Sequence, residues 1–255
     1  MDGGRPCQVM ALTAILLAAG YATRLYPLTK DRPKALLPLG DGVILDAIVS
    51  QIGPEVEQTI LVTNHRFAEP FRAWQARQRR PVTVVDDGTE TAETRLGAIR
   101  DLELARTQGP IEDDVLVIGT DNVFTWSLNR FVVQAQRHAP AASVALWEAP
   151  SASAATQFGV VKRDRTSRIV EFVEKSPQPP SREVALCVYY FPAPMQPLIR
   201  QFLEAGESAD APGHFIKWLA QQQPVYGVMM GGTWYDIGTL ETYELVKRQW
   251  AIGTR

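Results

Sequence analysis

Cysteine and histidine are nearly missing from this sequence, at two and three residues in 255. Cys7 and Cys187 are too few for a disulfide framework or a zinc cluster, and Cys187 lies in an apolar run where a thiol packs rather than reacts. His65, His138 and His214 are scattered, with no serine or cysteine elbow beside them. That argues against a hydrolase triad and for surface or packing roles. No apolar run approaches the roughly eighteen residues of a membrane-spanning helix. The opening segment 1–10, MDGGRPCQVM, lacks the apolar centre of a signal peptide, so it reads as a loose tail and the expected location is cytoplasmic. An excess of one charge sign is missing too. A net charge of -2 gives no field to attract nucleic acid or an anionic membrane, so neither is expected as a partner and any anion must be bound by local charge. There is no internal repeat. With 45% hydrophobic residues the chain can bury a sizeable core, which points to one domain over 11–255.

What is present is concentrated at 16–40, LLAAGYATRLYPLTKDRPKALLPLG, directly behind the apolar run 13–18. A buried strand there feeds a basic loop in which Gly20 permits close backbone approach and Pro27, Pro33 and Pro38 stiffen the chain between Thr23, Arg24 and Lys34. A planar guanidinium and a compact ammonium on a rigid frame suit a polyphosphate.

Further along, periodicity predicts helices over 43–52, 67–78, 91–105, 197–205, 213–222 and 240–250, with another starting near Trp126. Strands are expected at 59–63, 81–85, 114–118, 143–147, 184–191 and 225–230, plus a hairpin of 158–162 with 168–173; the stretch 149–156 reads as a mobile loop. Arg77, Arg79 and Arg80 read as cations at a helix C-terminus. The alternation of strands and helices predicts an α/β fold: a mixed, mostly parallel, Rossmann-like sheet flanked by helices, with ligands over the strand C-termini. Asp86 and Asp87 fit a turn and helix-capping pair. Asp121 follows the most apolar strand, where a carboxylate either binds a metal or caps the next helix.

Gly20, Thr23, Arg24, Leu25, Pro27, Thr29, Pro33 and Lys34 together resemble the signature of the sugar-phosphate nucleotidyltransferases, the nucleotide-sugar pyrophosphorylases, with Ala22 standing where members often carry a second glycine. Trp234, Asp236, Gly238 and Thr239 resemble that family's W-x-D-x-G-T step, so the likeness spans nearly the whole chain. The resemblance implies a transferase of nucleotide-sugar biosynthesis that joins a nucleoside triphosphate to a sugar 1-phosphate or similar phosphomonoester. It implies nucleotide binding by Ala18, Ala19, Gly20, Thr23, Arg24, Lys34, Gly88 and Gly97, and acceptor binding by Gly159, Glu174 and Lys175 in a β-rich lobe at roughly 143–235. Magnesium (Mg2+) would be held by Asp121 and Asp236, with Arg24, Lys34 and Asp121 as the catalytic residues; Gly88, Leu96 and Gly97 stand where the family reads the base. A homo-oligomer is left open. Two rivals are a metal-dependent glycosyltransferase, whose Asp-x-Asp is absent from Thr120-Asp121-Asn122, and a non-catalytic nucleotide sensor, which would be expected to lose a cation or metal carboxylate.

Overall fold

The computed structural model describes residues 11–109 and 111–253; the tail expected at 1–10, with Cys7, lies outside them. The chain begins with β1 (Leu12–Leu17), then β2 (Pro38–Leu39), β3 (Gly42–Val43), α1 (Ile44–Val49), β4 (Val56–Thr63), α2 (Ala68–Gln75), β5 (Val82–Asp86) and α3 (Ala98–Gln108). The middle comprises β6 (Asp114–Gly119), β7 (Asn122–Phe124), α4 (Leu128–Gln136), β8 (Ala142–Glu148), α5 (Ala152–Ala155), β9 (Gly159–Arg163) and β10 (Ile169–Glu174). The rest is β11 (Glu183–Phe191), α6 (Pro197–Glu204), α7 (Pro212–Gln222), β12 (Val225–Met229), β13 (Trp234–Asp236) and α8 (Leu240–Gly253).

β6, β1, β4 and β5 lie side by side and parallel. β1 and β6 are apolar on both faces because helices cover both. Ala14, Leu16, Leu61, Leu116 and Ile118 point to the cluster formed with α1, α2, α4 and α8, while Ile15, Ile60, Val62, Val115 and Val117 point to that of α3, α6 and α7. The expected mixed α/β sheet is therefore present. Among the described residues no helix is long and apolar enough to cross a membrane.

β11 decides where the second half of the chain sits. Its last residues pair antiparallel with β6, from Val188↔Ile118 to Phe191↔Val115, while Glu183 and Val184 pair with Val161 and Val160 of β9. An antiparallel partner that begins before β6 ends must project past the C-terminal end of β6. The β9–β10 hairpin consequently stands beside the mouth of the parallel strands.

Several local expectations change. α3 starts at Ala98, not near 91, because Gly97 has φ +93 and a Cβ there would lie 2.8 Å from the Ala209 carbonyl oxygen. Residues 122–124 form β7 ahead of α4, which begins at Leu128. The stretch read as a mobile loop contains α5, whose start is held by Ser151 Oγ accepting from the Ala154 amide at 3.1 Å. Arg80 is not a helix-end charge but donates to the carbonyls of Val56 (3.2 Å) and Gly53 (2.9 Å).

In the loop after β1, the left-handed residue is Ala22 (φ 48, ψ 42), not Gly20. An L-residue there costs roughly 1–2 kcal/mol relative to ordinary helical backbone. The conformation is held by Thr29 Oγ1, buried and donating to the Ala22 carbonyl at 2.8 Å, and by the Leu25 amide donating to the same oxygen at 3.0 Å. Ala22→Gly should leave the urea midpoint at or above the parent's, whereas the loss of about 1 kcal/mol usual for Ala→Gly inside regular structure would contradict the left-handed assignment. Gly97→Ala should cost about 2 kcal/mol or more, from left-handed strain plus collision with Ala209; an unchanged midpoint would contradict that packing.

Candidate active site

The site is built where β6 ends. Gly119 has no room for a side chain, since a Cβ would lie 2.8 Å from Cys187 Sγ and 2.9 Å from Asn122 Nδ2. Past it, Asn122 organises the turn. Its Nδ2 donates to the Gly119 carbonyl (3.1 Å) and to Asp121 Oδ1 (2.9 Å), and its Oδ1 accepts from Trp234 Nε1 (2.8 Å). β7 and β13 pair antiparallel with Asn122 opposite Asp236, and the Ile237 amide donates to the Asp121 carbonyl at 3.0 Å. This small ribbon brings the second carboxylate, from far along the chain, to the first.

Lys34 Nζ donates to Asp121 Oδ2 at 3.1 Å. Burial, and then the Asp121 carboxylate, push the Asp236 carboxyl up to about 6, while Lys34, Lys175 and Arg24 pull it back. Two carboxylates and three cations thus act on one another. A divalent cation would relieve the repulsion between Asp121 and Asp236. Among the described residues no group of three or more His, Cys, Asp or Glu is placed to hold a metal. A pair of carboxylates is the donor set of an ion that completes its shell with water and substrate oxygens.

Two cavities of about 610 Å³ each meet at these residues. One runs along the loop after β1 and is lined by Ala19, Gly20, Thr23, Arg24, Lys34 and Gly97. A Cβ at Gly20 would meet nothing within 4 Å, which leaves the backbone open to a ligand. The other runs under the β9–β10 hairpin and is lined by Gly159, Glu174 and the rings of Trp147, Phe158 and Trp234. Arg24, Asp121, Lys175, Asp236 and Gly238 line both. Glu174 lies over two glycine backbones, its Oε2 only 2.9 Å and 2.6 Å from where a Cβ of Gly159 or Gly213 would stand. Lys175 follows in the left-handed region (φ 47), with its amide on the Phe158 carbonyl at 3.0 Å.

Three of the residues that the resemblance implied stand apart from these walls, Leu96 being half-buried outside both cavities. Ala18 is buried behind the loop, donating from its amide to the Val62 carbonyl at 2.8 Å, and Gly88 is exposed outside both cavities. Asp86 and Asp87 do serve a turn, accepting from the amides of Gly88 (2.9 Å) and Thr89 (2.7 Å). His65 pairs with Asp86 and His138 stacks on Tyr226, away from the cavities. Cys187 lines both cavities, with burial pushing its thiol up to about 12, so it is a packed and protonated group.

Three features of the site carry no signal in the sequence. Asn122 stands next to a carboxylate that outshines it in sequence, and only its hydrogen bonds show that it orders the turn. Arg95 forms a two-pronged ion pair with Asp210 (2.8 and 3.2 Å), tying the segment before α7 to the wall of the first cavity; nothing local marks either residue. Asp101, in the first turn of α3, looks like a surface charge in sequence, yet it is buried beside Asp87.

A family model described as Nucleotidyl transferase matches residues 13–251. The chain is 27% identical over 231 residues to the bifunctional protein GlmU of Methanocaldococcus jannaschii, covering 89% of this chain and 51% of that protein. It is 24% identical over 243 residues to a UTP–glucose-1-phosphate uridylyltransferase of Synechocystis sp., covering 91% and 61%. The chain spans about half the length of the first curated relatives it matches. In fold it resembles a solved apo UDP-glucose pyrophosphorylase, with a TM-score of 0.82 at 16% identity over 96% of this chain and 100% of that one. With the loop after β1 and the β7–β13 ribbon both falling inside the matched span, the chain belongs to the nucleotidyl transferase family.

Proposed function

We propose that this protein transfers a nucleotidyl group from a nucleoside triphosphate to a sugar 1-phosphate or related phosphomonoester. The observation that carries the reading is the meeting of two cavities at Arg24, Lys175, Asp121 and Asp236. In the reaction an oxygen of the acceptor phosphate forms a bond to the α-phosphorus, the bond from that phosphorus to the β-phosphate oxygen breaks, and pyrophosphate leaves with the electron pair. The nucleophile is already an anion, so the chain need supply no general base; its work is positioning and charge neutralisation.

Arg24 and Lys34 stand on the triphosphate side, Arg24 exposed and Lys34 held by Asp121. A triphosphate offers Lys34 more negative charge than one carboxylate does, so the ammonium moves part of its pairing to the phosphates. Lys175, at the junction, receives the acceptor phosphate, while Glu174 accepts from an acceptor hydroxyl. Asp121 and Asp236 would hold magnesium, which when bound supplies positive charge to the triphosphate oxygens. The two-cysteine sequence suits a cytoplasmic setting. A glycosyltransferase reading is disfavoured by Gly119 and Val123, which stand two positions either side of Asp121 where an Asp-x-Asp would need its second carboxylate.

The direct test is a matrix of nucleoside triphosphates against acceptor phosphates, scored by pyrophosphate release. At least one pair should turn over, and release from none across sugar, cyclitol and amino-alcohol phosphates would contradict the reading. Lys34→Ala should keep the fold, by circular dichroism, and lower kcat about a hundredfold to a thousandfold, the usual loss for one preorganised charge contact; near-native turnover at saturation would remove it from the mechanism. Lys175→Ala should raise the acceptor KM by about tenfold or more and the triphosphate KM by less. An equal rise in both would contradict its assignment to the acceptor.

A further inference from the structure

The first cavity has two chemically different ends. One carries Arg24, Lys34 and Lys175 beside Asp121 and Asp236; the other is walled by Ala92, Gly97, Ala98, Asp101 and the Arg95–Asp210 ion pair, with Gly20 and Tyr21 also in the lining. A triphosphate lies with its phosphates against the three cations, because the one cation at the other end, Arg95, is already held by Asp210 in a two-pronged pair. On the proposed function, the base therefore rests beside Asp101.

That carboxyl belongs to a built arrangement. Asp87 Oδ1 accepts from the Thr89 amide (2.7 Å) and from Thr89 Oγ1 (2.8 Å), and Thr89 Oγ1 meets the Tyr21 hydroxyl at 3.1 Å. Asp101 is 5% exposed and lies beside Asp87, and Asp101 Oδ1 and Asp87 Oδ2 are buried without a hydrogen-bond partner. Burial first, and then Asp87, push the Asp101 carboxyl up to about 7. Two carboxyls buried together share one proton. With that proton spent inside the pair, Asp101 is left as an acceptor in the cavity lining, and its partnerless Oδ1 calls for a donor.

Nucleobases differ in what they can offer there. Guanine, adenine and cytosine carry an exocyclic amino group, and guanine adds an adjacent ring N–H. Uracil and thymine offer one ring N–H set between two carbonyl oxygens, whose lone pairs would face those of the carboxyl. A site built around a buried hydrogen-bonding group discriminates strongly against a ligand that leaves it unpaired. We propose that Asp101, positioned by Asp87, selects the nucleotide, favouring a triphosphate with an amino-bearing base over UTP and dTTP.

Calorimetric titration tests this without relying on turnover. GTP, ATP, CTP, UTP, dTTP and inorganic tripolyphosphate, each with magnesium, would be titrated into the full chain and into Asp101→Asn. In the parent at least one amino-bearing triphosphate should bind about tenfold or more tighter than UTP and dTTP, the scale of one well-made base contact. In Asp101→Asn that ratio should fall below about threefold, with tripolyphosphate affinity unchanged. Tighter binding of UTP or dTTP to the parent, or a ratio untouched by the substitution, would overturn the assignment. Should Asp101→Asn fail to fold, the parent's ranking decides alone, in either direction. Binding of tripolyphosphate without any base preference would defeat this inference only; no binding of tripolyphosphate or of any nucleotide would defeat the proposed function with it.

Discussion

The ammonium of Lys34 sits 3.1 Å from an oxygen of Asp121, at the point where the two cavities join. Without such cations the crevice would hold two carboxylates facing each other in a partly dry space, an arrangement no fold keeps without compensation. With them, the crevice stays nearly balanced and can still exchange partners when phosphates arrive. A fully buried pair would be too costly to open. This one is reachable by solvent, with side chains 18% and 38% exposed, so its partners remain exchangeable.

The rest of the fold can be understood as what that balance requires. β1 and β6 end side by side, so the loop carrying Lys34 and the turn carrying Asp121 leave the sheet together. β11 runs past the end of β6 and carries the β9–β10 hairpin to the far wall, which brings Lys175 to the junction. The β7–β13 ribbon closes the remaining side and delivers Asp236. Three long-range strand pairings therefore converge on a few charges. Gly97 marks a place where those pieces approach too closely for any side chain, and Gly119, Gly159 and Gly213 mark places where a Cβ would have to displace a neighbouring side chain.

How much of this the sequence discloses depends on how local the cause is. The loop after β1 is legible because its glycine, prolines and cations lie within one short stretch, and the strands because their apolar runs are continuous. Ala22 hides its left-handed backbone because the residues that hold it, Leu25 and Thr29, work through main-chain bonds to a residue type with no left-handed preference. The late start of α3 is set by Ala209, more than a hundred positions away, against which helical periodicity gives no warning. Asp101 and the Arg95–Asp210 pair are invisible for the same reason: each takes its meaning from a partner that only the folded chain supplies. Asp236, in contrast, can be paired with Asp121 in advance through the family resemblance that Trp234, Asp236, Gly238 and Thr239 carry.

Charge balance in the crevice is the central claim, and the most direct measurement is triphosphate affinity with and without magnesium. It would be made by calorimetry on the parent and on Asp121→Asn/Asp236→Asn together. The parent should bind a triphosphate weakly in chelator and about tenfold or more tighter with magnesium present. The double variant, having lost two negative charges, should bind the metal-free triphosphate more tightly than the parent does and gain little from magnesium. Parent affinity indifferent to magnesium, or a double variant that binds metal-free triphosphate more weakly than the parent, would contradict the account.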